Sequence, residues 1–425
     1  MSAFGHHARF QQIVNYLEAR TMMPTRPPSL ESTKTALLKS GLFQKLDPAK
    51  NIIVAGTNGK GTVCATLSRL LHSAGTRVGL YTSPHLVYTT ERIRIAEQEI
   101  SKEQFVAAFD AVFTWIEKEN LTHFEALTLI AAWIFYSGVL SIPVEYAIWE
   151  VGLGGRFDAT NAIPHQHCGI TRLGLDHQNL LGDSLTAIAA EKFGVVSKGN
   201  TVVFSPMETC LEPLKSEVIR KTNSTWVAAA KIESINSHAV RTPWGQAELA
   251  LVGDRAAENT ATALSLFAQL GFDPSKHLGA LSQVQWPGRF QRLTCSTLSC
   301  ACPIYLSGDH NPQGIESLLS ILQRMAWNTL HIVIGIAHDK DATQMLQKLS
   351  ELKSVKLYLT ETPYKTRPLA EYPRIWREKA VTENPDVMDL LRTLGTQAQA
   401  DDLIIVTGSL YLVGKVLAAA PERFL

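Results

Sequence analysis

An apolar stretch, Asn51 to Ala55, runs into Gly56-Thr-Asn-Gly-Lys-Gly-Thr62, and an amphipathic stretch, Thr62 to Ala74, follows. That order predicts strand, tight loop, helix. Glycines let backbone N–H groups turn inward around an anion, and the helix N-terminus adds positive dipole. Lys60 supplies a point charge for terminal phosphates and Thr62 a hydroxyl for Mg²⁺. A cation at the start of a helix is unfavourable unless an anion sits there. The loop therefore implies a nucleoside triphosphate site. It departs from the strict Walker A pattern twice: Val54 stands where a glycine is usual, and Gly61 separates Lys60 from Thr62.

At 425 residues the chain exceeds one ordinary core, so two domains are expected, 1–289 and 290–425. With 45% hydrophobic and 19% charged residues the composition is that of a globular protein. The net charge of +1, without a basic block, gives no broad surface for nucleic acid. The most apolar stretch, Ala126 to Leu140, is shorter than the roughly 20 residues of a spanning helix and reads as a buried helix. No apolar signal core opens the chain, so a cytoplasmic protein without a membrane partner is expected. Six cysteines include Cys300-Ala-Cys302 but no CxxC pair. They read as buried free thiols, with zinc or a disulfide as the other uses of that pair.

Short apolar runs alternate with helical ones. Ile52–Ala55, Val78–Tyr81, Tyr146–Trp149, Gly169–Arg172 and Thr201–Phe204 read as strands. Thr62–Ala74, Lys102–Lys118, Phe124–Tyr136 and Leu185–Phe193 read as helices. Such alternation predicts an α/β fold, a parallel-sheet N-terminal domain carrying the phosphate loop. Residues 225–252 read instead as a small antiparallel excursion, and Glu258–Leu270 as helix. Trp286-Pro-Gly-Arg289 breaks the pattern and is expected to be a hinge that closes the domains on ligand binding. After it, strands Pro303–Leu306, His331–Gly335, Lys356–Thr360 and Leu403–Thr407 alternate with helices. They predict a second, smaller Rossmann-like α/β domain.

In such sheets ligands collect at the carboxyl ends of strands. Tyr146-Ala-Ile-Trp-Glu150 ends in a carboxylate suited to Mg²⁺, followed by Gly152, Gly154, Gly155, Arg156 and Asp158. The glycines suggest close approach of backbone to a ligand. Asp176-His177 follows another strand. Lys192, with apolar neighbours, is either a surface lysine at a helix end or a desolvated amine able to take up carbon dioxide. Ser307-Gly-Asp-His-Asn-Pro312 and Ala337-His-Asp-Lys-Asp341 are polar loops after strands, read as a site or as solvated turns.

Taken together these segments resemble folylpolyglutamate synthase/dihydrofolate synthase, a branch of the Mur ligase superfamily. The likeness rests on Gly56–Thr62, Thr82-Ser-Pro-His-Leu86 with Glu91-Arg-Ile-Arg94, Thr122-His-Phe-Glu125 with Thr128, and Glu150 to Asn161. It continues through Asp176-His177, Leu181-Gly182, Asn259, Pro287-Gly-Arg289, Asp339-Lys-Asp341 and Gly408 to Leu412. Three segments depart. The usual Asp-Gly-Ala-His-Asn-Pro is Ser307-Gly-Asp-His-Asn-Pro312, the usual Lys-Ala-Gly is Lys192-Phe-Gly194, and Arg26-Pro-Pro-Ser-Leu30 matches poorly.

The resemblance implies an ATP- and Mg²⁺-dependent ligase that adds L-glutamate to dihydropteroate and to folates through an acyl phosphate. It implies a monomer whose partners are these small molecules, with one or two magnesium ions and a carbamylated Lys192. Gly56, Thr57, Asn58, Gly59, Lys60, Gly61, Thr62, Asn259 and Arg289 would face the nucleotide. Thr62, Ser83, Glu150 and His177 would place metal. Ser83, Pro84, His85, Arg92, Asp158, Asp309 and Asp341 would meet substrate. Lys60, Lys192, His177 and His310 would carry catalysis. Other classes that share the phosphate loop are a Mur-type ligase of cell-wall precursors, a phosphotransferase or NTPase without an amide product, and a silent nucleotide-binding regulator. Gly61 and the Ser83-Pro-His-Leu86 segment favour the folate branch.

Overall fold

The computed structural model describes residues 3–20, 29–140, 142–293, 298 and 300–420. The chain divides into two compact units. One comprises Met1–Glu233, Val240–Leu249 and Ala257–Val284; the other comprises Ser234–Ala239, Ala250–Ala256 and Gln285–Leu425.

The first unit is built on an eight-stranded sheet. Its strands are β1 Asn51–Ala55, β2 Val78–Tyr81, β3 Ile93–Ile95, β4 Gln98–Glu99, β5 Tyr146–Glu150, β6 His167–Ile170, β7 Thr201–Phe204 and β8 Thr225–Ala228. They lie in the order β4-β3-β2-β5-β1-β6-β7-β8. All are parallel except β3 and β4, which form an antiparallel edge. Around them stand α1 Ala3–Glu18, α2 Glu31–Lys39, α3 Lys60–Ser73, α4 Lys102–Lys118, α5 His123–Tyr136, α6 Gln178–Leu181, α7 Leu185–Phe193, α8 Glu212–Thr222 and α9 Asp254–Gln269. Every residue of β1 and β5 is buried, which is why both read as continuous apolar runs without alternation. Capping boxes at Ser101/Gln104 and Thr122/Glu125 start α4 and α5. α5 is buried on nearly all sides, as its apolar sequence predicts. Among the described residues no helix is long and apolar enough to cross a membrane.

Two elements differ from the sequence reading. Thr225–Ala228 joins the main sheet as a parallel edge strand paired with β7. Its side chains are all exposed or half-exposed, so it lacks the buried apolar run of the inner strands. The excursion is confined to a three-stranded sheet of β9 Glu233–Ser234, β10 Ala239–Thr242 and β11 Gly245–Glu248. The N-terminal helices α1 and α2 were missed by the sequence reading, although Phe10, Ile13, Val14 and Leu17 of α1 fall at helical spacing and are buried.

The second unit carries a six-stranded sheet of β12 Gln291–Arg292, β13 Ile304–Leu306, β14 Leu330–Ile334, β15 Val355–Leu359, β16 Thr382–Glu383 and β17 Leu403–Thr407, in the order β12-β13-β17-β14-β15-β16. Only β12 is antiparallel. Its helices are α10 Pro312–Leu322, α11 Ala342–Leu349, α12 Arg374–Lys379, α13 Val387–Gln397 and α14 Leu410–Ala418. Gly408, at φ +99°, lets this floor close. A Cβ there would stand 2.5 Å from the Gly335 carbonyl oxygen, so backbone meets backbone between the ends of β14 and β17.

In the first sheet, β5 and β6 flank β1 on opposite sides. The chain therefore crosses over β1, and the carboxyl ends of these three strands form the crevice where ligands settle in such folds. A buried polar hub holds the opposite end of β1. Asn51 Oδ1 accepts from the Tyr136 hydroxyl at 2.6 Å and from Trp149 Nε1 at 2.9 Å, while its amide donates to the Asp47 carbonyl at 3.1 Å. Replacing it with leucine orphans two buried donors, each costing about 1–3 kcal/mol. Asn51→Leu is expected to lower the urea midpoint of unfolding sharply, whereas Asn51→Asp, which keeps the acceptor, lowers it less.

Candidate active site

The loop after β1 is shaped by two glycines that nothing else could replace. Gly56 has φ +145° and a Cβ there would lie 1.9 Å from Thr171 Oγ1. Gly59 has φ +92° and a Cβ there would lie 2.2 Å from Asn259 Oδ1. Asn259 on α9 is thus seated directly against the loop. The N–H groups of Thr57 and Asn58 both donate to the Arg172 carbonyl, at 3.0 and 3.3 Å. Thr57 Oγ1 donates to the Gly174 carbonyl at 3.0 Å. These bonds fasten the loop to the segment leaving β6. Its anion-facing donors are therefore those at the start of α3, from Gly59 onward, where a helix leaves its first N–H groups without intrahelical partners.

Lys60 Nζ folds back onto the carbonyls of Gly56 and Thr57, 3.2 Å from each. Lys192 Nζ, from α7, reaches the same Gly56 carbonyl at 2.9 Å. Two ammonium groups thus converge on one oxygen. Lys192 is 5% exposed; its pKa is lowered to about 7, first by desolvation, then by the charge of Lys60, against the pull of Asp176 and Asp158. A lysine that reads as a surface residue from its helix-end position is here a buried amine near neutrality. Phe193, beside it, packs edge-on to Trp226 with ring centroids 5.0 Å apart, so the bulk at this departure from the family pattern is absorbed by an aromatic pair.

The glycine loop after β5 lies against the end of α7. A Cβ on Gly155 would stand 2.7 Å from the Glu191 carbonyl, to which Arg156 N donates at 2.8 Å. Asp158 organises this loop. It accepts from the N–H groups of Gly152, Leu153 and Thr160, each at 3.0 Å, and from the Thr160 hydroxyl at 2.5 Å. Its carboxylate, expected from sequence to meet substrate, is engaged by its own loop. Glu150, 4% exposed, stands in register with Val54 and accepts from Ser83 N at 3.0 Å. His177 caps α6 in the left-handed region at φ +51°. Its N–H donates to Asp176 Oδ1 at 2.9 Å, and its Nε2 lies 4.0 Å from that oxygen.

Magnesium takes one or two protein carboxylates and completes its shell with water and phosphate oxygens. Buried Glu150, bonded to Ser83 one sheet position from the phosphate loop and its Thr62, fits that requirement. Among the described residues no group of three His, Cys, Asp or Glu is arranged to hold a metal by itself. Cys300 and Cys302 are free thiols 3.5 Å apart; Cys295 lies outside the described residues.

The segment after β2 is shaped by Glu91, whose carboxylate accepts from the N–H groups of Leu86, Val87 and Tyr88 at 2.8 to 3.1 Å. Ser83-Pro84 is a cis peptide. Arg92, 7% exposed, donates through Nε to His85 Nδ1 at 2.9 Å. Burial first, then the charge of Arg92, pushes the His85 pKa down to about 3. His123 is lowered by the same two causes. The predicted substrate residues His85 and Arg92 therefore form one cluster, a buried guanidinium held by neutral imidazole.

In the second unit, Ser307 Oγ donates to Asp309 Oδ2 at 2.6 Å and Gly408 N to the Asp309 carbonyl at 3.0 Å. Burial raises the Asp309 pKa, opposed by the Ser307 hydrogen bond and the charge of Arg289. His310 Nδ1 lies 2.9 Å from the Gly308 carbonyl, and Asn311 caps α10. Asp341 caps α11, its side chain accepting from Gln344 N at 2.9 Å. That capping role was not separable by sequence from a substrate contact.

Residues 288–410 match the family model described as Mur ligase, glutamate ligase domain. The dihydrofolate synthase/folylpolyglutamate synthase of Escherichia coli K12 is 32% identical over 89% of this chain and 88% of its own length. That of Haemophilus influenzae is 31% identical over 95% and 96%. The chain belongs to the dihydrofolate synthase/folylpolyglutamate synthase family. A bifunctional member from Yersinia pestis, solved with AMPPNP and a Mn ion, is 29% identical and superposes with a TM-score of 0.83 over 96% of this chain and 97% of that one. Against the family pattern, the Ser307 to Asp309 exchange leaves a hydroxyl and a carboxylate joined by a hydrogen bond in the loop after β13.

Sequence reading missed Thr171, Arg172 and Gly174, which hold the phosphate loop from β6. It gave Asp176 no role, although its charge acts on Lys192. Thr171, Arg172 and Gly174 belong to no local pattern; only the pairing of β1 with β6 brings them there.

Two outcomes follow from this geometry. Gly59→Ala meets Asn259 and a left-handed backbone, and is expected to abolish nucleotide binding in calorimetry. His85 has a folded pKa below its unfolded value, so the unfolded chain alone takes up that proton as pH falls below 6.5 toward about 3. Stability is lost over that window. His85→Gln is expected to flatten the decline of the urea midpoint between pH 7 and pH 5.

Proposed function

We propose that this chain is an ATP-dependent carbon–nitrogen ligase that joins L-glutamate to dihydropteroate and to folates. The observation that carries this reading is the Gly56–Thr62 loop, with two ammonium groups on one carbonyl beside buried Glu150. The names of the relatives support both synthase activities. The nucleotide and Mn ion bound by the Yersinia relative support ATP and a divalent metal. The reading includes a cytoplasmic monomer whose partners are small molecules.

A carboxylate is a poor acyl donor, because its charge repels an amine and oxide is a poor leaving group. Phosphorylation removes both obstacles. The substrate carboxylate, that of dihydropteroate or the free glutamyl carboxylate of a folate, attacks the γ-phosphorus in line, giving an acyl phosphate and ADP. The glutamate amine then attacks the acyl carbon, loses its surplus proton, and inorganic phosphate leaves with the electron pair of the broken C–O bond. Lys60 turns from the Gly56 and Thr57 carbonyls to the phosphoryl oxygens, and the N–H groups at the start of α3 face the same charge. Thr62, Ser83, Glu150 and His177 would hold magnesium, which when bound supplies positive charge to the phosphate oxygens. Asn259 and Arg289 serve the nucleotide. Lys60, Lys192 and His177 carry catalysis in the first unit, and His310 is the catalytic candidate of the second.

Lys192 has a role of its own in this reading. Its neutral amine adds to carbon dioxide, forming an N–C bond and releasing a proton. The carbamate turns a cation into an anion next to Lys60, which relieves their repulsion and provides oxygens for a second magnesium.

Lys60→Ala is expected to reduce glutamate-dependent ADP release by about 10²–10³-fold; an unchanged rate sinks the assignment. With ¹⁸O in the pteroyl carboxylate, label is expected in the released phosphate, and its absence rules out the acyl phosphate. Lys192→Ala is expected to be inactive and restored by a small added carboxylic acid, while full activity without additive dismisses the carbamate.

A further inference from the structure

Cys300 and Cys302 take no part in the reading above. They precede β13, at the end of that strand opposite the Ser307–Asn311 loop. On a straight strand, residues two apart have Cα atoms about 6.6 Å from each other, close to the upper limit of about 6.8 Å for a disulfide. The chain instead bends at Ala301 and Cys302, which shortens that span. The two Sγ atoms lie 3.5 Å apart, within hydrogen-bond reach. The bend is pinned from the sheet side, where the Pro303 carbonyl accepts from Ile404 N at 3.1 Å. The approach of the two sulfurs is thus set by the entry into β13.

The two thiols are not equivalent. Cys302 is 5% exposed, whereas Cys300 is half-buried and followed by exposed Ala301. Burial first, then the hydrogen bond and charge of Cys300 and the charge of Asp402, pushes the Cys302 thiol up to about 12. Asp402 is itself fixed by the N–H groups of Thr329 and Gln399, each at 2.9 Å, and stands 3.4 Å from His331 Nε2. Cys302 therefore keeps its proton and offers it to Cys300, and a bulky oxidant has access to Cys300 first. Attack in thiol–disulfide exchange comes from the thiolate, and access selects the sulfur that reacts. Zinc is the other use of such a pair, but structural zinc takes four ligands. Among the described residues no group of three His, Cys, Asp or Glu is arranged to hold it.

We propose that Cys300 and Cys302 form a reversible thiol-oxidation site, which a low-molecular-weight disulfide closes to an internal bridge. Cys300 gives up its proton, and its sulfur attacks one sulfur of the small disulfide. That S–S bond breaks and one small thiolate leaves. Cys302 then loses its proton, attacks the Cys300 sulfur and displaces the second small thiolate. The two thiolates take up the two protons, so two protein thiols are oxidised while one small disulfide is reduced to two thiols. The site lies apart from the ligase machinery and stands whether or not that reading holds.

The test uses the folded full chain, reduced, freed of reductant and exposed to oxidised glutathione. Acid quenching, alkylation, proteolysis and mass spectrometry follow. The peptide holding both residues is expected two hydrogen atoms lighter and unalkylated, and dithiothreitol is expected to restore both thiols. Cys302→Ser is expected to stop at a mixed glutathione disulfide on Cys300, and Cys300→Ser to leave Cys302 without glutathione. A wild-type peptide in which both thiols stay reduced, or each carries glutathione, overturns the proposal. So does a bridge that joins either residue to Cys295 or Cys210. The wild-type peptide decides by itself if a serine variant does not fold.

Discussion

The contact on which the first unit's site depends is the carbonyl of Gly56, which receives Lys60 at 3.2 Å and Lys192 at 2.9 Å. Two like charges sharing one acceptor are held in tension by the fold. One lysine is fixed at the start of α3, and the other is buried on α7. Asp176 and Asp158 offset part of the repulsion. The arrangement has an excess of positive charge just where a strand gives way to a helix N-terminus. In the proposed function a triphosphate would relieve that excess from outside, and modification of Lys192 would relieve it from within. Nothing comparable is needed to stabilise an ordinary turn, which would be better served by a neutral residue at either position.

Supporting that contact are constraints set by close approach rather than by strong bonds. Gly56 touches Thr171, Gly59 touches Asn259, and Gly155 touches the backbone at the end of α7. Each glycine lets a different element reach the loop: β6, α9 and α7. The order of strands around β1 makes these approaches simultaneous. Asp158 and Glu91 contribute in another way, since each carboxylate gathers three backbone N–H groups and fixes the course of a loop. Of the two, Asp158 reads in sequence as a substrate contact. In the fold they are organisers, with the residues they position standing beside them.

The phosphate loop was legible because its information is local: glycines, a lysine and the change from apolar run to amphipathic run fall within a dozen residues. The parallel sheets were legible for the same reason, as β1, β5, β14 and β17 are short, mostly apolar and buried at every residue. The electrostatic character of the site was only half legible. Lys192 sits at a helix end, where a solvated lysine is ordinary, and its burial follows from the glycine loop after β5 packing on α7. His85 and Arg92 were both recognised, but their union is a tertiary fact. Thr171 and Arg172 carry no signal beyond closing the strand-like run Gly169–Arg172. Thr225–Ala228 was misread because a partly exposed edge strand lacks the continuous apolar run of the inner parallel strands.

The junction of Gly335 and Gly408 has a bearing on how this half of the molecule can diversify. With peptide groups in direct apposition, the base beneath the loops after β14 and β17 admits no side chain, so mutation there has almost nothing to explore. Variation is confined to the rim, where segments such as Ser307–Asn311 stand. The presence of Ser307 and Asp309, where the family pattern has aspartate and alanine, is a change of that permitted kind. It alters chemistry at the margin while the foundation under it stays invariant.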